Sequence, residues 1–173
     1  MLKLLYPKLY VAKLVDIELA ELQKKGIHAL LLDLDNTIVP RDRDYCSDEI
    51  IQWLKEAKKL GFKLCIVSNN SPARVQALAT SLDIPAVYRA LKPARRSFIQ
   101  AMKMLGVPPY QTAVIGDQIF TDVLGGNLLG LYTVLVMPLP GREFWVTRFI
   151  NRRLEKLVLC RLNRNRSGGS LIH

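Results

Sequence analysis

No run of uncharged apolar residues in this chain approaches the roughly 18–20 that a membrane-spanning helix needs. The longest candidate, residues 128–138, is shorter and rich in β-formers, so a spanning helix is not expected. Cysteine is scarce. Cys46, Cys65 and Cys160 form no CxxC or Cys/His cluster, and their odd number argues against a disulfide framework. They read as small packing residues in a reducing, cytoplasmic setting. Acidic residues are also short, 15 Asp and Glu against 25 Lys and Arg, for a net charge of +10. Such an imbalance favours anionic partners: nucleic acid, a membrane surface or a phosphorylated substrate. Lysines interrupt every apolar run in residues 1–10 and no small-residue cleavage site follows, so no signal peptide is expected there. Internal repeats are lacking.

What is present is enough for one domain with a substantial core: 173 residues, half of them apolar. The strongest local signal lies in residues 27–40. Ala29, Leu30, Leu31 and Leu32 lead into Asp33 and Asp35, then Asn36 and Thr37, with Gly26 ahead and Pro40 behind. A short apolar run so punctuated reads as a strand buried on both faces of a parallel sheet. Acids at its end are costly to bury unless a metal or hydrogen bonds compensate them. Open α/β sheets bind ligands at the carboxyl ends of their strands, which is where these acids stand.

Upstream, residues 16–25 predict a short helix, and the aromatic stretch before it an irregular arm packed on the core. Downstream, Ser47 is expected to cap a helix whose apolar residues, Ile50, Trp53, Leu54, Ala57 and Leu60, recur at helical spacing until Gly61. Residues 62–67 predict a second buried strand, ending in Ser68, Asn69 and Asn70. Pro72 opens the next helix. Residues 84–88 predict a short strand before Lys92 and Pro93, and residues 95–105 a helix. Residues 112–115 predict a strand ending at Gly116 and Asp117, residues 122–129 a helix, and residues 132–136 the last strand. Alternation of this kind predicts a three-layer, doubly wound α/β fold with a parallel sheet.

Four strand ends thus bring Asp33 and Asp35, Ser68, Lys92, and Asp117 with Asp122 to one edge, at offsets of about one strand–helix unit each. Each residue type has work in phosphoryl transfer. An aspartate can attack phosphorus, and a second can carry the proton to the leaving group. Acidic oxygens suit Mg²⁺. A hydroxyl, backbone N–H groups and a lysine can compensate the charge on the phosphoryl oxygens.

With DLDNT at residues 33–37, the serine of VSNN, the lysine of LKP and GDQIFTD at residues 116–122, the sequence resembles the haloacid dehalogenase superfamily of phosphatases. The resemblance covers residues 26–138. It implies that Asp33 is nucleophile and Mg²⁺ ligand, and that Asp35 is general acid/base and a ligand through its carbonyl. Thr37 would brace the loop. Ser68 and Lys92 would hold the phosphate with a backbone N–H of Asn69, and Asp117 and Asp122 would complete the metal site. Neither interval between the first three motifs has room for the cap domain that such enzymes commonly carry, so the site is expected to be open. Details such as DLDNTIVP, GDQIFTDVLGGN and WVTRFINRRLE resemble the YqeG-type branch of subclass IIIA. Its eukaryotic relatives are phosphatidylglycerophosphate phosphatases. That implies a lipid substrate.

The expected organisation is an arm and helix in residues 1–25, a phosphatase core in residues 26–141, a basic amphipathic helix in residues 142–162 and a disordered tail in residues 163–173. From residue 142 onward the chain carries +6 of its +10 charge. Two readings fit such a helix: it packs on the sheet edge with its basic face in solvent, or it lies on the anionic inner face of a membrane, to which the chain would then bind peripherally. A specific nucleic-acid partner is not expected, because the aromatics Phe144, Trp145 and Phe149 lie ahead of most of the basic residues. The rival readings are a phosphatase of soluble sugar phosphates or nucleotides, and a non-catalytic basic protein that binds membrane or RNA.

Overall fold

In the computed structural model, which describes residues 2–140, the centre is a six-stranded sheet in which every pair is parallel. Its strands are β1 (Leu9–Val11), β2 (Ala29–Leu32), β3 (Lys63–Val67), β4 (Ala86–Val87), β5 (Thr112–Gly116) and β6 (Tyr132–Val136), in the order β1-β6-β5-β2-β3-β4. The helices are α1 (Leu19–Lys24), α2 (Asp48–Lys59), α3 (Pro72–Leu82), α4 (Arg95–Leu105) and α5 (Leu124–Asn127). From β2 the chain winds outward through β3 and β4, then returns to the other side with β5. The crevice between the ends of β2 and β5 is therefore the topological switch point, where ligands of such sheets bind.

The doubly wound α/β expectation holds, because β2 and β5 are buried along their whole length. Two apolar layers flank the sheet. One gathers Leu30, Leu32, Ile66, Ile115, Trp53 and Leu54; the other gathers Leu31, Val67, Val114, Phe98 and Met102. Residues alternate between these layers along each strand, as the two-residue period requires. Ser47 caps α2 as expected, accepting from the Ile50 N–H at 3.4 Å. Trp53 is core, its indole N–H donating to the Ile17 carbonyl.

Three local expectations need correction. The stretch ahead of α1 is not simply an irregular arm: β1 forms the sheet's edge, pairing Leu9 with Val134 and Val11 with Val136. A three-residue strand has too little periodicity to announce itself, and its partner lies some 125 residues away. Asn127 also ties this segment down, donating to the Leu4 and Tyr6 carbonyls. The helix expected over residues 16–25 is shorter, with a tight turn at Leu14–Asp16 and α1 starting at Leu19. Residues 122–129 begin instead within a wide helical turn, Ile119–Val123, and α5 occupies only Leu124–Asn127. There Gly126 lets α5 lie close on the sheet, where a Cβ would strike Val114 and Thr133, and Gly125 lets it lie against Phe98 of α4. The basic amphipathic helix and the tail expected over residues 142–173 lie outside the described residues.

Candidate active site

Beyond β2 the backbone folds back on itself. The Leu34 carbonyl accepts from the N–H groups of Ile38 and Val39, at 3.0 and 3.1 Å, and Asn36 adopts a left-handed φ of 61°. This turn holds Asp33 at the switch point and places Thr37 beneath it, its hydroxyl 3.5 Å from Asp33 Oδ2. Asp117 follows β5 directly, next to β2, and the wide turn at Ile119–Val123 returns Asp122 to the same spot. Gly116 makes that return possible, because a Cβ there would collide with the Asp122 carboxylate.

Asp33, Asp117 and Asp122 are all buried, with one carboxylate oxygen from each within 4.8 Å of the others. Lys92 joins them. Its Nζ donates to Asp33 Oδ1 at 2.5 Å and to Asp122 Oδ1 at 2.7 Å. One ammonium against three buried carboxylates leaves a deficit of positive charge. Burial, then the neighbouring carboxylates, push Asp117 up to about 8. Burial likewise pushes Asp33 up to about 7, against the pull of Lys92. Burial alone would lower the Lys92 pKa, but Asp122 and Asp33 more than offset it and the pKa is raised.

Both oxygens of Asp117 are buried with no hydrogen-bond partner. Buried polar atoms are normally paired, and leaving a carboxylate unpaired costs several kcal/mol. A hard divalent cation bound by oxygen donors is what this arrangement fits. Asp33, Asp117 and Asp122 are the side chains that could hold it. The Asp35 carboxylate stands apart from this cluster.

Asp35 is held by donors that sequence reasoning did not find. Asn70 Nδ2 donates to its Oδ2 at 3.0 Å and Arg74 Nε to its Oδ1 at 3.1 Å. The rest of the Arg74 guanidinium donates to Asp44 and to the carbonyls of Pro40 and Arg43, so one side chain organises the loop of residues 40–44. Arg74 sits 39 residues from Asp35, and nothing local in the sequence marks it.

Ser68 is buried at the end of β3, its Oγ accepting from the Asn70 N–H. Lys92 does not stand at a strand end but five residues past β4. Asn69 keeps it in place: its Oδ1 accepts from the Lys92 N–H at 2.7 Å, and its Nδ2 donates to the Lys92 carbonyl at 3.3 Å. Asp33, Asp35, Ser68, Asn69 and Lys92 line one polar cleft of about 220 Å³, together with Asn36, Arg41, Asn70, Gln118 and Thr121. Thr37, Asp117 and Asp122 lie behind or beneath its walls. The site expected from the sequence is therefore brought together in one place. A hydroxyl, an ammonium, two kinds of carboxylate and a place for a cation, around a cleft of this size, can bind and transfer a phosphoryl group.

Comparisons with known proteins agree with this chemistry. The family model of haloacid dehalogenase-like hydrolases matches residues 5–130. The chain is 38% identical over 162 residues to the probable phosphatase YqeG of Bacillus subtilis, covering 94% of each. It is 25% identical over 167 residues to phosphatidylglycerophosphate phosphatase 1 of Arabidopsis thaliana, covering 91% of this chain but only 47% of that longer protein. Among solved structures, the cobalt-bound deoxy-D-mannose-octulosonate 8-phosphate phosphatase of Haemophilus influenzae superposes with a TM-score of 0.54 at 17% identity. That match covers 65% of this chain and 69% of the other.

Proposed function

The chain belongs to the haloacid dehalogenase-like hydrolase family and is a phosphatase of that type, and we propose that it dephosphorylates phosphatidylglycerophosphate to phosphatidylglycerol at the cytoplasmic face of a membrane. The observation that carries this reading is the openness of the cleft. Between Asp33 and Ser68 the chain has only a loop, α2 and β3; between Ser68 and Lys92 only α3, β4 and short loops. Among the described residues no inserted domain closes over a small metabolite, which leaves a phosphate displayed on a large surface able to reach Asp33. The likeness to the Arabidopsis thaliana enzyme and the net charge of +10 support a lipid substrate at an anionic surface.

In this reading an oxygen of Asp33 attacks phosphorus and the bond to the glycerol oxygen breaks, leaving an aspartyl phosphate. Asp35 gives its proton to the departing alkoxide, then takes one from the water that attacks phosphorus. Cleavage of the acyl phosphate restores Asp33 and releases inorganic phosphate. Lys92, Ser68 and the backbone N–H of Asn69 bind the phosphoryl oxygens, and Thr37 steadies Asp33. Asp33, Asp117 and Asp122, with the carbonyl of Asp35, would hold Mg²⁺. When bound, the ion would supply positive charge beside the phosphoryl oxygens and relieve the crowding of carboxylates.

The test is phosphate release from phosphatidylglycerophosphate in mixed micelles, beside glyceraldehyde 3-phosphate, sugar phosphates and nucleotides. Asp33→Asn serves as the inactive control, with activity lowered at least about a thousandfold. High turnover of a soluble phosphate with none of the lipid would overturn the substrate assignment. Activity persisting in Asp33→Asn would overturn the mechanism.

A further inference from the structure

The segment that delivers Lys92 breaks several local rules in nine residues. Arg89 and Leu91 adopt left-handed φ values of 47° and 53°, a region that non-glycine residues rarely occupy. The backbone there is pinned by hydrogen bonds from Arg89 N to Asn70 O and from Ala90 N to Ser68 O, and by the Asn69 clamp on Lys92. That pinning accounts for the path of the chain. It does not account for a leucine at residue 91, where glycine or asparagine would suit the conformation better. Leu91 is 76% exposed, the most of any large hydrophobic residue among those described.

Arg95 and Arg96 break a second rule. They occupy the first turn of α4, which has no acid, although the positive end of the helix dipole disfavours cations there. Ile99, also exposed, follows one turn later on their side of the helix. Residues 88–96 thus hold four cations and no acid. Lys92 is turned inward to Asp33 and Asp122, which leaves Arg89, Arg95 and Arg96 exposed around Leu91. Lys92 itself lines the cleft, so the segment that carries it flanks the cleft wall. Phe120, between the cleft-lining Gln118 and Thr121, is exposed as well.

Exposed apolar groups ringed by arginines match the boundary between headgroups and acyl chains of an anionic bilayer. A nucleic acid would satisfy the arginines but leave Leu91 and Ile99 without a partner. We propose that residues 88–99 form the surface by which the protein seats on an anionic bilayer. Leu91 enters the interface, and Arg89, Arg95 and Arg96 meet lipid phosphates. This builds on the lipid-substrate reading and adds an orientation: the cleft faces the bilayer.

The test uses the full chain carrying Cys160→Ser and Leu91→Cys, labelled with an environment-sensitive dye; Cys46 and Cys65 are buried. With phosphatidylglycerol/phosphatidylcholine vesicles the dye should shift to the blue and be quenched by brominated acyl chains, with little change on phosphatidylcholine alone. Replacing Arg89, Arg95 and Arg96 together by Gln should weaken partitioning on the order of a hundredfold. Leu91→Asn, which tolerates the left-handed backbone, should lower vesicle binding while leaving p-nitrophenyl phosphate turnover unchanged. If the chain binds vesicles while the dye stays in water, attachment is through other residues and the proposal is overturned. Phosphate release from the lipid in micelles would then leave the substrate assignment standing. Entry of the dye into vesicles without hydrolysis of the lipid would instead sink the substrate assignment and keep the docking surface.

Discussion

The Asn69 side chain grips the backbone of Lys92 at both ends, accepting from its N–H at 2.7 Å and donating to its carbonyl at 3.3 Å. An amide here copies the two-bond pairing of a neighbouring strand and fixes a loop that β4 is too short to fix. Asn69→Ala should therefore misplace the Lys92 ammonium and lower kcat/KM for p-nitrophenyl phosphate about 10–100-fold. The loss of stability should be about 1–2 kcal/mol, one or two hydrogen bonds' worth. Kinetics and thermal melts of the variant check both, and unchanged kinetics would show that Lys92 holds its place without the clamp.

Arg74 does for Asp35 what Asn69 does for Lys92. Arg74→Lys keeps the charge but loses the planar fork that serves Asp35, Asp44 and two carbonyls at once. If Asp35 carries the proton to the leaving group, the variant should lose kcat roughly tenfold or more on alkyl phosphates. It should lose less on p-nitrophenyl phosphate, whose leaving group needs little protonation. Equal losses on both substrates would mean that Arg74 supports only the fold of the loop.

The raised carboxyl pKa values make a prediction about the metal-free protein. Asp33, pushed up to about 7, and Asp117, pushed up to about 8, both start from an ordinary value of 3.8. The folded state then binds more protons than the unfolded one, so this contribution to stability falls as pH rises from about 4 to about 8. Mg²⁺ should raise Tm most at the alkaline end of that window. Asp117→Asn should flatten the slope and stabilise the metal-free protein at pH 8 by on the order of 1–3 kcal/mol, while lowering metal affinity. Melts across pH with and without Mg²⁺ decide it; a metal-free Tm that climbs through this range would contradict the account.

Two glycines separate site geometry from packing. A Cβ on Gly116 would meet the Asp122 carboxylate, whereas one on Gly126 would meet Val114 and Thr133 between α5 and the sheet. Gly116→Ala should weaken Mg²⁺-dependent activity about 100-fold by displacing Asp122. Gly126→Ala should mainly cost stability, about 1–3 kcal/mol, with metal dependence retained. Metal titrations of activity beside melts distinguish the two, and equal effects on metal affinity would refute the distinction.

The sequence by itself determined the α/β class and the identity of the acids, serine and lysine at the site. Those signals are local: an apolar run buried on both faces is legible without knowing its neighbours, and polar residues that interrupt it must be compensated. Capping by Ser47 and the helical stripe of α2 were legible for the same reason. Only the tertiary structure decided what each of these groups touches. Leu9 meets Val134 across the sheet, Arg74 reaches back 39 residues to Asp35, and Asn69 reaches forward 23 to Lys92. The unpaired oxygens of Asp117 also belong to the packed state. Such contacts depend on how distant segments come together, and a linear pattern of residue types does not encode them one by one.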